Sequence, residues 1–144
     1  MTVTSIIVNF IAHTRKLCYS IREKGCSCMI LEKIGQLVAQ CSDPEKKLVE
    51  RMILSASNYV KAVTEMETHA LNFVGRPDQE LRDVVSESDT ARTRAHDSLI
   101  ASINIVNRIC EAHGFDVLYT GDSLRRHYGD FALELVCEIF NQRR

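Results

Sequence analysis

Residues 44–74 read PEKKLVERMILSASNYVKAVTEMETHALNFV, an uninterrupted run of about 30 residues with one terminal proline and no internal glycine. Leu48, Met52, Ser55, Tyr59, Ala62, Met66, His69 and Phe73 step alternately by four and three, which places them along one side of a long helix. A second row, Val49, Ile53, Ala56, Val60 and Val63, runs beside the first. Two adjacent rows make the apolar face wider than a two-stranded coiled-coil seam, so this helix belongs at the centre of a bundle.

The flanks punctuate that helix. Upstream, Ser42 or Asp43 can cap its N-terminus, and Pro44 sits in the first turn, where a missing N–H costs nothing. Before the cap, CMILEKIGQLVAQC (28–41) supplies a shorter helix. Earlier still, Val3, Ile7, Phe10, Thr14, Leu17 and Ile21 share a helical face that Gly25 ends. Downstream, GRP (75–77) breaks the run, and Pro77 opens another helix. Between Val85 and Ala95 the one apolar residue is Ala91, so this stretch either interrupts that helix or leaves it exposed to water. The helical stripe returns with Leu99, Ile103, Val106 and Cys110, flanked by Ile100, Ile105 and Ile109, and Gly114 can end it as a left-handed cap. FDVLYTGDS (115–123) reads as a connector. The last helix starts at about Asp122 or Asp130, runs to Arg143, and carries Phe131, Leu135 and Ile139 beside Ala132, Val136 and Phe140. The expectation is an all-α single domain over 1–144, a bundle of four long helices plus one or two short ones.

Composition narrows the function. Eighteen Lys and Arg against 19 Asp and Glu leave a net charge of −1, which argues against nucleic acid as a partner. The first 61 residues carry 9 basic and 5 acidic groups and the remainder 9 and 14, a split that solvated helix faces readily produce and that would also suit head-to-tail association. The N-terminal apolar stretch is too short to span a bilayer and has neither a charged opening nor a small-residue cleavage site. Six cysteines without secretion signals read as reduced thiols in a cytoplasmic protein, acting mostly as small hydrophobes. Cys26 and Cys28 in KGCSCM differ, because two thiols sit beside a lysine and a glycine, but one thiol pair cannot complete a tetrahedral zinc site.

Known catalytic patterns are not found. The residues three before the five histidines are Phe10, Met66, Thr93, Cys110 and Leu124, so the Glu-x-x-His pair of di-metal bundles does not occur. Glu65 with His69, and Asp130 with Glu134 and Glu138, share faces at helical spacing as weaker ligand sets. The six glycines are too scattered to cradle a phosphate. Cys110 lies one turn before His113, but its position in the middle of the stripe implies an inert, buried thiol. No metal site and no cofactor are expected.

Two features remain. In SESDTARTRAHDSL (86–99), Asp89, Arg92 and His96 are spaced by three and four, a polar ladder leading onto Leu99. It reads either as a capped helix start, with Ser86 as cap, or as an anion- or partner-binding patch of Asp89, Arg92, Arg94 and His96. The other is RICEAH (108–113), which resembles the Arg-x4–6-His motif of HEPN-type ribonucleases, with Ile109 where that family carries a polar residue. The resemblance implies His113 as general base on a ribose hydroxyl and Arg108 as phosphate clamp.

RTRAHDSLIASINIVNRICEAHG, YTGD and GDFALELVCEIFNQRR together resemble, over about the C-terminal 60 residues, a family of small bacterial proteins of unknown function. That resemblance implies a compact helical protein and brings no catalytic residue. The leading expectation is a non-enzymatic bundle that associates with itself, as a homodimer, or with a protein partner. A HEPN-like ribonuclease or a metal-assisted hydrolase is the alternative. Convergence of His69, His96 and His113 in one pocket would favour an enzyme.

Overall fold

The computed structural model describes residues 29–75, 79–119 and 128–142. They form four helices and no strand: α1 (Met29–Val38), α2 (Asp43–Gly75), α3 (Gln79–Ala112) and α4 (Tyr128–Gln142). The all-α bundle expected from the apolar spacing is therefore observed. The N-terminal helical face (Val3 to Ile21) and the Cys26/Cys28 pair lie outside the described residues.

Local chemistry sets the ends of the two long helices. Ser42 is the N-cap of α2: its carbonyl accepts from the Lys46 N–H at 2.9 Å, while its own N–H and hydroxyl donate to Glu45 Oε1, each at 2.9 Å. This is the Ser-x-x-Glu capping pattern. At the far end of α3, Phe115 N–H donates to the Cys110 carbonyl (2.9 Å) and Gly114 N–H to that of Glu111 (3.1 Å). Those two bonds define a Schellman stop, and Gly114 takes the left-handed φ of 75° that the motif requires. Asn107 then fixes the chain beyond the stop, donating to the Tyr119 carbonyl (2.7 Å) and accepting from the Leu118 N–H (3.1 Å).

The α2 and α3 helices pair as an antiparallel hairpin, with the Ser55 and Ser102 hydroxyls 3.1 Å apart near its middle. Their 33 and 34 residues make each about 50 Å long, whereas α1 and α4 have 10 and 15 residues and reach about 15 and 22 Å. The core follows the short helices. Leu37 of α1, Val49, Met52 and Ala56 of α2, Leu99, Ile103, Val106 and Cys110 of α3, and Phe131, Ala132 and Leu135 of α4 are at most 2% exposed. On α2 the buried set mixes the two sequence rows, because α3 and α4 approach from different sides of the helix.

Beyond Val60 on α2, and before Leu99 on α3, no described residue is buried. Here the hairpin continues as a two-helix arm; α4 still borders its root, at Val63, Thr64, Glu67, Arg92 and His96, and among the described residues no third helix covers the turns further out. Val63, Met66, Leu81, Val84 and Val85 are half-buried, and Leu71 is 74% exposed. The wide apolar face read from residues 44–74 is thus packed on all sides over only its first half.

One buried charge ties α1 in place. Glu138 of α4, 7% exposed, accepts from the first-turn N–H groups of Ile30 (3.2 Å) and Leu31 (2.8 Å). A carboxylate there satisfies two orphan donors and meets the positive end of the helix dipole. Glu138 is therefore a cap, not a member of a carboxylate face with Asp130 and Glu134. The cysteines also divide: Cys41 and Cys110 carry free thiols, whereas Cys137, 3% exposed, is disulfide-bonded. A uniformly reduced set is corrected on that point. No described helix is long and apolar enough to cross a membrane.

Candidate functional site

α3 is continuous through SESDTARTRAHDSL, so the reading of residues 86–99 as a helix start is corrected. The helix begins at Gln79, and the Ser86 carbonyl accepts from the Thr90 hydroxyl at 3.0 Å as a mid-helix group does. Exposed charge, in place of apolar residues, marks where the hairpin leaves the core. The ladder itself is present: Arg92 donates through Nε and Nη2 to Asp89 Oδ1 at 3.2 and 3.0 Å. With Asp89 57% and Arg92 31% exposed, that pair contributes little to stability and serves mainly to orient the guanidinium.

His96, one turn further, is half-buried against aromatic rings from two other helices. Its ring centroid lies 5.5 Å from Tyr59 of α2 and 6.5 Å, edge-on, from Tyr128 of α4. Tyr128 in turn packs on Tyr119 at 4.7 Å, and Tyr119 on Phe131 at 5.8 Å, so a chain of aromatic contacts links His96 to the core. A cleft of about 430 Å³ opens at this point, where α4 ends its cover of the hairpin. Arg92 and His96 line one wall, Tyr59, Thr64 and Glu67 another, and Asp130 with Leu133 a third. Gly129 lets α4 approach: a Cβ there would lie 3.0 Å from Tyr59 Cε1 and Oη. Arg94, two residues from Arg92 and about 200° round the helix, is exposed and does not line the cleft. The predicted patch therefore separates into Arg92 and His96 in the cleft, Asp89 as the clamp on Arg92, and Arg94 elsewhere.

His113 lies at the opposite end of the hairpin. As C-cap residue of α3 it is held beside the N-cap of α2, and its Nε2 is 2.9 Å from Glu45 Oε2. Glu45 thus uses one oxygen for Ser42 and the other for His113. The N–H of Ser42 first, then His113 and the Ser42 hydroxyl, lower its pKa to about 2. Cys41, adjacent to the cap, completes a group of three in which one donor atom from each residue lies within 4.8 Å of the other two. Burial and the neighbouring Glu45 carboxylate push the Cys41 thiol pKa upward. Cys110, one turn before His113 and 1% exposed, is raised by burial as well, as its position in the stripe implied.

The three histidines do not converge. His96 and His113 are 17 residues apart on α3, about 25 Å along the axis, and His69 lies further out on the arm. Arg108 is exposed and sits about 140° round the helix from His113, so the two are not presented together as the ribonuclease motif requires. Among the described residues, Cys41, Glu45 and His113 form the one cluster of His, Cys, Asp or Glu able to hold an ion. Neither Glu65 with His69 nor the α4 carboxylates does so. Sequence reasoning missed this group, although the signal was there: a capping box at 42–45 and a stop glycine at 114, on helices of almost equal length, must meet if the helices pair antiparallel.

Fold and sites define an all-α bundle with a projecting two-helix arm, an aromatic-lined cleft at the arm's root and a Cys–Glu–His cluster at the other end. The chain belongs to the family described as protein of unknown function DUF3232, whose match spans residues 1–144 and so extends well beyond the C-terminal 60 residues or so. No curated protein and no solved structure matches the chain.

Proposed function

We propose that this protein works without catalysis, by association, and that its two-helix arm is the contact through which a second copy binds. The observation that carries this reading is the arm itself. Beyond Glu67 on α2 and before Arg92 on α3 each helix has one described neighbour, so Ala70, Leu81, Val84 and Val85 stay half-buried, and Leu71 projects into water. Pairing two arms side by side would give a four-helix bundle and complete the cover that α1 and α4 supply nearer the core. Arg92 and His96, with Asp89 as the clamp on Arg92, supply polar contacts at the arm's root, and Arg94 offers a charge on the opposite side. The ribonuclease alternative has less support, since Arg108 and His113 diverge and Glu45 occupies the histidine.

The arm carries Lys61, Arg82, Arg92 and Arg94 against Glu65, Glu67, Glu80, Asp83, Glu87, Asp89 and Asp97, an excess of three negative charges. Self-association through it is driven by apolar burial against a mild like-charge repulsion, and salt that screens the repulsion strengthens it. Light scattering over a range of concentrations is the test. A dimer mass that falls on dilution, rises with salt and drops to monomer in Leu71→Glu, with helicity unchanged, is expected. A concentration-independent monomer mass refutes the proposal.

A further inference from the structure

We infer that Cys41, Glu45 and His113 form a binding site for a transition-metal dication, with Zn2+ as the best match. The site does not depend on the arm or on association. It is built by two helix-end motifs: the capping box of α2 presents Glu45 with Cys41 just before it, and the Schellman stop of α3 presents His113 as its C-cap. Cys41 and Glu45 are four apart in sequence, while His113 arrives from 68 residues beyond Glu45, so a bound ion would cross-link the start of α2 to the end of α3.

The donor set is a thiol, an imidazole and a carboxylate. Hard cations such as Mg2+ and Ca2+ take oxygen ligands, whereas a mixed sulfur, nitrogen and oxygen set suits zinc. The distances allow it. Tetrahedral zinc, with bonds of about 2.0–2.3 Å, needs its ligand atoms about 3.3–3.7 Å apart. The present donors lie within 4.8 Å of one another, with the His113–Glu45 contact at 2.9 Å, so side-chain rotation of about an ångström converts one arrangement into the other. His113 and Glu45 are 24% and 26% exposed, which leaves a path for the ion, and Cys41 is 9% exposed on the inner side.

A nucleophilic reading of the same three residues is weaker. A reactive cysteine needs a positive neighbourhood that favours the thiolate. Cys41 faces the opposite, because burial and the Glu45 carboxylate both hold the proton on sulfur. A dication reverses that balance: coordination forms the metal–sulfur bond, releases the thiol proton to solvent and neutralises the carboxylate. With three protein ligands the fourth position is left for water, since the buried Cys110 thiol is not part of the cluster.

Cobalt(II) is the probe, titrated into the whole 144-residue chain in anaerobic buffer without thiol reductant, so that the disulfide at Cys137 is retained. The expected result is one equivalent bound, with a thiolate-to-cobalt charge-transfer band and the visible bands of tetrahedral cobalt; zinc should displace it. Cys41→Ser should abolish the charge-transfer band, and His113→Gln and Glu45→Gln should each weaken binding at least about tenfold. Circular dichroism checks that each variant remains helical, and a zinc-dependent rise in Tm of the wild type alone provides a readout that does not rely on colour. Cys110→Ala should leave the bands in place, since that thiol is not part of the cluster. No charge-transfer band, or one that persists in Cys41→Ser and is lost in Cys26→Ser or Cys28→Ser, overturns the inference.

Discussion

Replacing Glu138 by alanine should destabilise the fold by about 3 kcal/mol, although the residue lies on the last helix and touches no candidate site. Its carboxylate, 7% exposed, accepts two backbone hydrogen bonds, at 3.2 and 2.8 Å, from the first turn of α1. A hydrogen bond to a charged partner contributes about 1.5–3 kcal/mol net. Two of them, with the dipole of α1 behind them, set an upper bound of about 6 kcal/mol. Water can enter the space an alanine leaves and satisfy part of the two N–H groups, which halves the figure. Glu138→Gln keeps the volume but turns an amide N–H2 toward a backbone donor, so it should fall between the two, at about 1.5 kcal/mol. Urea denaturation followed by circular dichroism measures this. For an m of about 2 kcal/mol/M, the midpoint of the alanine variant should drop by about 1.5 M at unchanged m. An alanine variant within about 0.5 kcal/mol of wild type would refute the reasoning, because it would mean that α1 is held by Leu37 and Ile34 packing alone.

Two further outcomes follow from the sites. Glu45 has its pKa lowered from 4.5 to about 2 in the folded chain, so its contribution to stability is full above about pH 4.5 and lost as the pH falls toward 2. With chelator present, the stability gap between wild type and Glu45→Gln should therefore be larger at pH 6 than at pH 3; an equal gap contradicts the Ser42–Glu45–His113 arrangement. Gly129→Ala would place a Cβ 3.0 Å from the Tyr59 ring, which must swing by a few tenths of an ångström and disturb its 5.5 Å contact with His96. The His96 ring resonances should shift in NMR spectra, and unchanged resonances would show that α4 does not press on Tyr59.

Helix identity was legible in residue spacing because an α-helix repeats every 3.6 residues whatever it packs against. The stripe from Leu99 to Cys110 is buried as read, and so are the first members of both α4 rows. Capping chemistry is equally local: Ser42, Glu45 and Gly114 do in the structure what their side chains and backbone freedom allow in isolation. Periodicity does not say how far a neighbour extends. Residues 44–74 keep their apolar rows to the end, yet α1 and α4 are too short to cover the second half, so burial stops at Val60. A polar ladder likewise reads the same on a helix start and in mid-helix, which is why Ser86 passed for a cap.

What the sequence alone determined, then, is the helical segments, the caps at Ser42 and Gly114 and the Asp89–Arg92 pairing, all products of interactions within about five residues. Tertiary structure decided the rest. Glu138 meets Ile30 across 108 positions and His113 meets Glu45 across 68. Those contacts exist because antiparallel packing brings helix ends together, and a pattern confined to one helix holds no record of which end it will face.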